Sequence, residues 1–324
     1  MSKAIRIHAY GGPEVLQWED VPTPEPGPGE ALIRQQAVGV NYIDIYYRTG
    51  LYKLPGFPAV LGMEGAGEVL AVGSDVTDVV PGDRVAYSSS IGGYVGKRII
   101  AADRLVKLPE GVDSETAAAM MLRGLTVQAL LRQVHAVQPG ETILVHAAAG
   151  GVGLLLCQWA SHLGATVIGV VSSAAKAEMA RSHGATHTIV GLEDLPGQVK
   201  RLTDGAMVPV VYDSVGKDSF MGSLDCLAPR GLMVSYGNAS GEVAGVNLSA
   251  LSSRGSLYLT RPTLTTFIAR RELLQAAAAE LFDVVGSGAV KVEVGTRLPL
   301  SQAAEAHRAL ASRATTGSTI LIPD

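Results

Sequence analysis

Between positions 142 and 190 short apolar runs alternate with stretches of helical character: TILVHAA, LLLCQWASHLG, TVIGVVS, AKAEMARSHG and HTIV. Two strands that run parallel need a crossover between them, and a helix is the usual way to supply it. This rhythm therefore commits the region to βαβ units, that is, to a parallel sheet covered by helices on both faces. PVVYDSVG, GLMVSYG and SLYLT add further candidate strands to the same sheet.

The turn AAAGGVG lies between the first strand and the first helix. Aligned to the pattern G-x-G-x-x-G, Ala148 takes the first small position, Gly150 the second and Gly153 the third, with Gly151 and Val152 between them. The first permits a tight strand-to-helix turn, the second lets backbone approach a pyrophosphate, and the third allows the helix to pack closely on the strand. Free N–H groups at the helix start, together with the positive end of its dipole, then face the diphosphate. A glycine-rich turn by itself also fits a tight βα connection. Here it follows a strand, opens an amphipathic helix and precedes a second strand at the length of a dinucleotide-binding unit.

The end of that second strand ordinarily carries an acidic residue, which binds the ribose 2′-hydroxyl and selects NAD. This chain presents Ser172, Ser173 and, a little further on, Lys176. A carboxylate there would repel a 2′-phosphate, whereas hydroxyls donate to it and an ammonium attracts it. The expected cofactor is NADPH. A simpler reading, in which Ser172 caps the helix and Lys176 is a solvated surface lysine, is compatible with phosphate binding.

The rest of the chain differs in texture. Up to about residue 119 short apolar runs are broken by Gly and Pro, as in AIRIHAY, ALIRQQAVGV, GAGEVLAVG, DRVAY and YVGKRIIA, which suggests a compact, mostly β domain. VPTPEPGPGE is too rich in proline for a helix and reads as a surface connector. Past Arg261 a long helical stretch, TTFIARRELLQAAAAELFDVV, precedes a mixed tail that is expected to pack back on the first domain.

With 324 residues two domains are the default. A formal net charge of −4 lacks the basic footprint of a nucleic-acid binder. The opening MSKAIRIHAYGG has no long apolar core and no window is apolar enough for a membrane span, so a cytoplasmic protein without membrane or nucleic-acid partners is expected. Cys157 and Cys226 stand in apolar surroundings and read as buried thiols, which leaves no disulfide framework and no CxxC site.

Taken together, YGGPEVL, GVNYIDIYYRTGLY, LGMEGAGEV, VPGDRVAY, RGLTVQALL, VHAAAGGVG, VYDSVGKD, GLMVSYGNASG, LYLTRPTL and RATTGSTILIP resemble the quinone oxidoreductase, or ζ-crystallin-like, branch of the medium-chain dehydrogenase/reductase superfamily. The resemblance spans essentially the whole chain. It implies an α/β protein with a GroES-like, mostly β catalytic domain and a Rossmann domain with a doubly wound parallel sheet. Residues 1–121 would begin the catalytic domain, 122–261 would form the NADPH-binding domain, and 262–324 would complete the catalytic domain. It also implies a homodimer that pairs through GSLYLTR, the strand opened by Gly255 and closed by Arg261. Such pairing would satisfy an otherwise exposed edge.

Zinc-dependent members of the superfamily bind their metal with Cys and His. Here Met63 precedes Glu64 where those enzymes typically have His, and VAYSSSIGGYV lacks a cysteine-bearing lobe, so no metal is expected. His183 and His187 are separated by a break at Gly184, and His146 at the end of TILVH reads as structural.

Without a Lewis acid the substrate must accept hydride readily, as quinones and activated enones do, and the resulting oxyanion needs only hydrogen-bond donors. NYIDIYYRTGLY supplies Asn41, Tyr42, Tyr46, Tyr47 and Tyr52. The resemblance is closest at Asn41, Tyr46 and Tyr52, which are assigned to the substrate pocket, Asn41 also to the nicotinamide side. Alternation directs Tyr42 and Tyr47 into packing, and Asp44 is read as a structural hydrogen-bonding group.

Arg261 resembles a family arginine that would attract the developing oxyanion, with a dimer-interface or helix-start role as the alternative. Thr126 would reach the nicotinamide carboxamide, Ser214, Tyr236 and Gly237 lie at strand ends where the ligand passes, and Arg313 would stand near the adenosine phosphate. At Gly191 relatives often carry an aromatic that covers the adenine. The sequence thus reads as an NADPH-dependent reductase of a small quinone. An NADPH-dependent enone or 2-alkenal reductase is the nearest alternative, and an NADPH-binding structural or RNA-binding protein is an alternative of another class.

Overall fold

The computed structural model describes residues 1–312 and 317–324. The chain divides into two units. One comprises Met1–Leu125, Ile268–Gly286 and Val292–Asp324, and the other comprises Thr126–Phe267 and Ser287–Lys291.

The second unit holds a six-stranded sheet in which every pairing is parallel. Across the sheet the strands run His187–Val190, Thr166–Val171, Thr142–His146, Val208–Asp213, Leu227–Ser235 and Tyr258–Thr260. Numbered by their order along the chain they read 3-2-1-4-5-6, the doubly wound Rossmann arrangement. The order reverses between Thr142–His146 and Val208–Asp213. In such sheets ligands bind outside the carboxyl ends of the strands at that reversal.

Apolar strands buried on both faces are what this architecture needs. Ile143, Leu144, Val145, Val167, Ile168, Val210, Val211, Met233 and Val234 are all fully buried. The first crossover helix, Gly151–His162, packs so closely on the sheet that there is no room for a Cβ at Gly153. A methyl group there would run into the Ala147 carbonyl and lie 2.8 Å from Ala148 Cα. Gly169 meets the same turn from the neighbouring strand, where a Cβ would lie 2.8 Å from Ala148 Cβ.

The first unit is built mainly of antiparallel strands. Glu30–Val40 is its spine. It pairs with Glu64–Val72, with Lys97–Ala101 and with Ser318–Ile322, and the sheet extends outward through Arg84–Ser88 and Val106–Lys107 on one side and Val294–Pro299 on the other. A small sheet of Gln17–Val21, Ser2–Ile7 and Ala59–Val60 packs beside it. The Pro-rich connector falls between Gln17–Val21 and Glu30–Val40 and carries neither strand nor helix.

Two expectations need correction. The stretch past Arg261 is not one long helix: Leu264–Phe267 is a single turn, and the main helix begins only at Arg271–Gly286. Arg104 donates to the carbonyls of Ile268 (3.1 Å) and Ala269 (2.8 Å), taking acceptors that a continuous helix would have used for itself. NYIDIYYRTGLY is likewise not an alternating segment, because Tyr42–Thr49 is helical. No helix among the described residues is long and apolar enough to cross a membrane.

Replacing Gly153 with Ala is expected to destabilise the protein by about 1–3 kcal/mol, since the new methyl group meets backbone that cannot yield. Urea unfolding would measure this, and an unchanged midpoint would contradict the close packing of helix on strand.

Candidate functional site

The turn at residues 147–150 leaves the strand through Ala147, which adopts a left-handed conformation (φ 49°). It is held by Gly150 N–H donating to the Ala147 carbonyl (2.8 Å) and by Ala148 N–H donating to Val170 of the neighbouring strand (3.1 Å). Gly150 then caps the helix Gly151–His162 with extended backbone, without a side-chain cap and without an acidic residue in the first turn. The N–H groups of Gly151, Val152 and Gly153 lack intrahelical partners, as first-turn groups do. No side chain of the turn competes with an anion for them. Ala148 itself is fully buried, so its contribution is to let the turn seat against Gly169.

At the end of Thr166–Val171, Ser172 is exposed. The next helix, Ala174–Ser182, is capped by Ser173, whose hydroxyl accepts from Lys176 N–H (3.4 Å). The cap therefore falls to Ser173, not Ser172, and the Ser172 hydroxyl is spared for other work. This helix also has no acidic residue in its first turn, and Glu178 is engaged by Arg181 (2.7 Å). Gly191 follows the adjacent strand with φ 82°, and no atom of the described residues lies within 4 Å of where its Cβ would stand.

Across the reversal, the Asp213 carboxylate is fully buried and shapes the loop that follows it. It accepts from Val215 N–H (2.8 Å), Gly216 N–H (3.1 Å), Ser219 Oγ (2.7 Å) and Ser223 Oγ (2.9 Å). Ser223 spends its proton on Asp213, so it accepts from Nε2–H of His146 (2.9 Å). Burial pulls the His146 pKa down, which keeps the imidazole neutral and structural. Gly237 lies hard against this loop: a Cβ there would come within 2.8 Å of Ser214 Cα. Tyr236 is half-buried beside it, and its N–H donates to the Asp213 carbonyl (2.8 Å). Ser214, Tyr236 and Gly237 are thus brought together at the carboxyl ends of two strands.

Arg261, just past Tyr258–Thr260, donates to the Ser235 carbonyl (2.9 Å). With the Asn238 amide oriented to donate to Gly237, Arg261 also donates to the Asn238 side-chain oxygen (3.2 Å). Thr126 is half-buried on the helix Ser114–Gln128. Arg313 lies outside the described residues.

In the other unit the helix Tyr42–Thr49 sets the tyrosines. Tyr42 and Tyr46, four residues apart, share a face with ring centroids 6.5 Å apart. Tyr52 meets Tyr46 edge-on at 5.3 Å and Tyr47 at 5.7 Å. Tyr47 therefore belongs to the same ring cluster as the two tyrosines assigned to substrate, which the alternation argument had separated. Tyr42 is tied down by its hydroxyl, which donates to the Leu310 carbonyl (3.1 Å).

Asn41 opens this helix and is only 6% exposed. Its N–H donates to Asp44 Oδ2 (2.8 Å), its Nδ2 donates to Glu64 Oε1 (2.5 Å), and its Oδ1 accepts from Arg123 Nε (3.0 Å). Glu64 Oε2 accepts from Leu122 N–H (2.7 Å), and Arg123 also donates to the Val40 carbonyl (2.9 Å) and to Ser318 Oγ. Burial pushes the Glu64 carboxyl up, and Arg123 opposes it. Both of its oxygens accept N–H groups, as a carboxylate requires.

The network continues on the far side of Asp44. Tyr94 donates to Asp44 Oδ2 (3.0 Å), and His307 Nε2 lies 3.0 Å from the Tyr94 oxygen. Arg48, which has only donors, lies 3.1 Å from His307 Nδ1. Burial and Arg48 push the His307 pKa down to about 3, so the neutral ring accepts from Arg48 at Nδ1 and donates to Tyr94 at Nε2. Glu64, Arg123, Tyr94, His307 and Arg48 carried no site assignment in the sequence. The one available signal was charge: Glu64 in LGMEGAG and Arg123 in RGLT stand in stretches otherwise apolar enough to be buried.

Comparison with known proteins bears on both units. Residues 27–110 match the family model described as alcohol dehydrogenase GroES-like domain, and residues 151–283 match the one described as zinc-binding dehydrogenase. The chain is 56% identical to a quinone oxidoreductase of Pseudomonas aeruginosa, with each chain covered completely. Among solved structures it is similar to a quinone oxidoreductase of Pseudomonas syringae (TM-score 0.97, 52% identity, both chains covered completely). It is equally similar in fold to the Escherichia coli quinone oxidoreductase complexed with NADPH (TM-score 0.97, 48% identity, 99% of this chain and 100% of that one).

Burial pushes the Asp44 carboxyl up from 3.8 to about 7, against the Asn41 N–H and Tyr94 hydrogen bonds that favour its anion. The folded protein therefore holds this proton to higher pH than the unfolded chain does, and the group costs stability as pH rises from about 4 to about 7. Relative to an Asp44→Asn variant, the wild type is expected to lose up to about 4 kcal/mol across that window and to level off above it. Paired urea unfolding curves at each pH check this, and a pH-independent difference would contradict it.

Proposed function

The chain belongs to the quinone oxidoreductase family of the medium-chain dehydrogenase/reductases, and from that premise we propose that it is an NADPH:quinone oxidoreductase that works without zinc on a small quinone. The observation that carries this reading is the end of the strand Thr166–Val171. Two serines and Lys176 stand there, and the helix that follows has no acidic residue in its first turn.

The cradle fits a phosphorylated dinucleotide. Gly153 and Gly237 let backbone close against Ala147–Ala148 and against Ser214, where a Cβ would collide, and the uncapped helix start so positioned offers free N–H groups to a diphosphate. In this reading Gly151, Val152 and Gly153 receive the diphosphate, while Ser172, Ser173 and Lys176 hold the 2′-phosphate, with Arg313 as a further cation. Ser214, Tyr236, Gly237, Thr126 and Asn41 attend the nicotinamide half. When bound, NADPH supplies a hydride. Asn41 donates a hydrogen bond to the substrate oxygen on which negative charge develops, and the rings of Tyr46 and Tyr52 flank a flat substrate and bring hydroxyl donors to it. Arg261 adds positive charge at its strand end.

The description of the matched dehydrogenase model implies zinc, and the residues here do not fit it. Zinc takes thiolate, imidazole or carboxylate ligands. Both cysteines are buried with their thiols pushed up to about 12, and both Glu64 oxygens are already engaged. Met63, a thioether, precedes Glu64, and no group of three or more His, Cys, Asp or Glu side chains among the described residues is arranged to hold a metal. Charge on the substrate oxygen is therefore met by hydrogen-bond donors in this reading.

The reading includes a homodimer in the cytoplasm. The edge strand Tyr258–Thr260 leaves Tyr258 56% and Leu259 38% exposed, and pairing with a second copy would cover them.

Steady-state assays of NADPH oxidation with benzoquinone and naphthoquinone should show rapid turnover, with simple enones slower. Negligible quinone turnover beside fast enone reduction would instead make the protein an enone reductase. Lys176→Ala is expected to raise the KM for NADPH about tenfold, the worth of one charge-assisted hydrogen bond, while leaving that for NADH nearly unchanged. Equal changes for both cofactors would contradict the assignment.

A further inference from the structure

We propose that Glu64 and Arg123 are positioning residues that lock the Asn41 side-chain amide in a single orientation, with one N–H held ready for the substrate. This rests on the reading of Asn41 as a donor to the substrate oxygen.

An asparagine amide is a donor at one end and an acceptor at the other, and the two ends have nearly the same shape. In most settings little prevents it from turning over. At Asn41 both ends are fixed by groups of opposite kind. Oδ1 faces Arg123 Nε at 3.0 Å, and a guanidinium has no acceptor. Nδ2 faces Glu64 Oε1 at 2.5 Å, and a carboxylate has no donor. A flipped amide would set N–H against N–H and oxygen against oxygen, two conflicts in a buried site where each is costly.

The two clamping groups are fixed in turn. Glu64 is fully buried, and its second oxygen accepts from Leu122 N–H at 2.7 Å. Gly39 packs its backbone so near Glu64 Oε1 that a Cβ at that position would collide with the carboxylate. Arg123 is 6% exposed and also donates to the Val40 carbonyl and to Ser318 Oγ, one bond from each terminal nitrogen. Stability alone does not explain such a pair, since apolar residues of similar volume generally serve a core as well or better. What apolar residues cannot do is tell the two ends of an amide apart. Nδ2 carries two N–H groups, and Glu64 takes one of them. The other is the donor left for an oxyanion.

The test is a double-mutant cycle on kcat for NADPH-driven quinone reduction, using the full-length protein as wild type, Asn41→Ala, Glu64→Gln and the double variant. A glutamine at 64 cannot accept at both oxygens, so it removes the preference for one amide orientation. Glu64→Gln is expected to lower kcat by about 10- to 100-fold, the scale of a misplaced catalytic group, with little change in the KM for NADPH. In the Asn41→Ala background the same substitution should have almost no further effect. If the two effects multiply, Glu64 does not act through Asn41 and the positioning claim fails while Asn41 keeps its role. If Asn41→Ala leaves kcat unchanged, the donor role of Asn41 falls and the proposal falls with it.

Should Glu64→Gln fail to fold, the wild-type protein gives a second measurement. The Asn41 side-chain amide resonances, identified by their loss in Asn41→Ala, should include one proton strongly protected from exchange. Rapid exchange of both protons would overturn the proposal.

Discussion

The proposed dinucleotide site depends on a helix that opens without closing its own N-terminus. Gly151–His162 is capped by a glycine, has no capping side chain and has no acid in its first turn. Helix starts leave N–H groups that something must satisfy, and sequences usually supply a Ser, Thr, Asp or Asn to do it. The next helix in the same sheet shows the ordinary solution, with Ser173 accepting from Lys176 N–H. Placed at the carboxyl end of the first strand, where the strand order reverses, the open helix start is held in shape by Gly153 and Gly169. Both glycines lie against Ala148 of the turn that precedes the helix. The fold thereby presents donors at a defined place without spending them internally.

A second constraint governs the other unit. Glu64, Asp44, Arg123 and Arg48 bring two acidic and two basic side chains into a core from which water is almost excluded. Such groups are tolerable only when each has its partners, and here most do: carbonyls, N–H groups, Tyr94, His307 and Ser318 complete the set. Asp44 Oδ1 is buried with no hydrogen-bond partner among the described residues, in keeping with a carboxyl that holds its proton to near neutral pH. The arrangement fixes the start of the tyrosine helix and thus the register of Tyr46 and Tyr52.

How much of this the sequence reveals depends on the range of the interaction responsible. The parallel sheet and the glycine turn are readable because period and spacing within about 30 residues determine them. The tyrosine segment is misread as alternating because β-branched and aromatic residues dominate it, yet a helix signature was present: Asn41 with Asp44 three residues on, and Gly50 in a left-handed conformation at the end. The interruption before Arg271 has no local signal: no glycine or proline marks it, and the carbonyls there are taken by Arg104, far away in sequence. The Asn41 clamp draws on residues 41, 64, 123 and 318, and no pattern in a single sequence reports such a meeting.

The proposed cofactor preference is electrostatic: the second strand ends in hydroxyls and a cation, which would hold a doubly charged 2′-phosphate where a bare ribose gains little. Calorimetric titration of the wild-type protein with NADPH and NADH over a range of salt concentrations tests it most directly. Tighter binding of NADPH is expected, with an advantage that shrinks as ionic strength rises. Equal affinities, or a difference indifferent to salt, would contradict it.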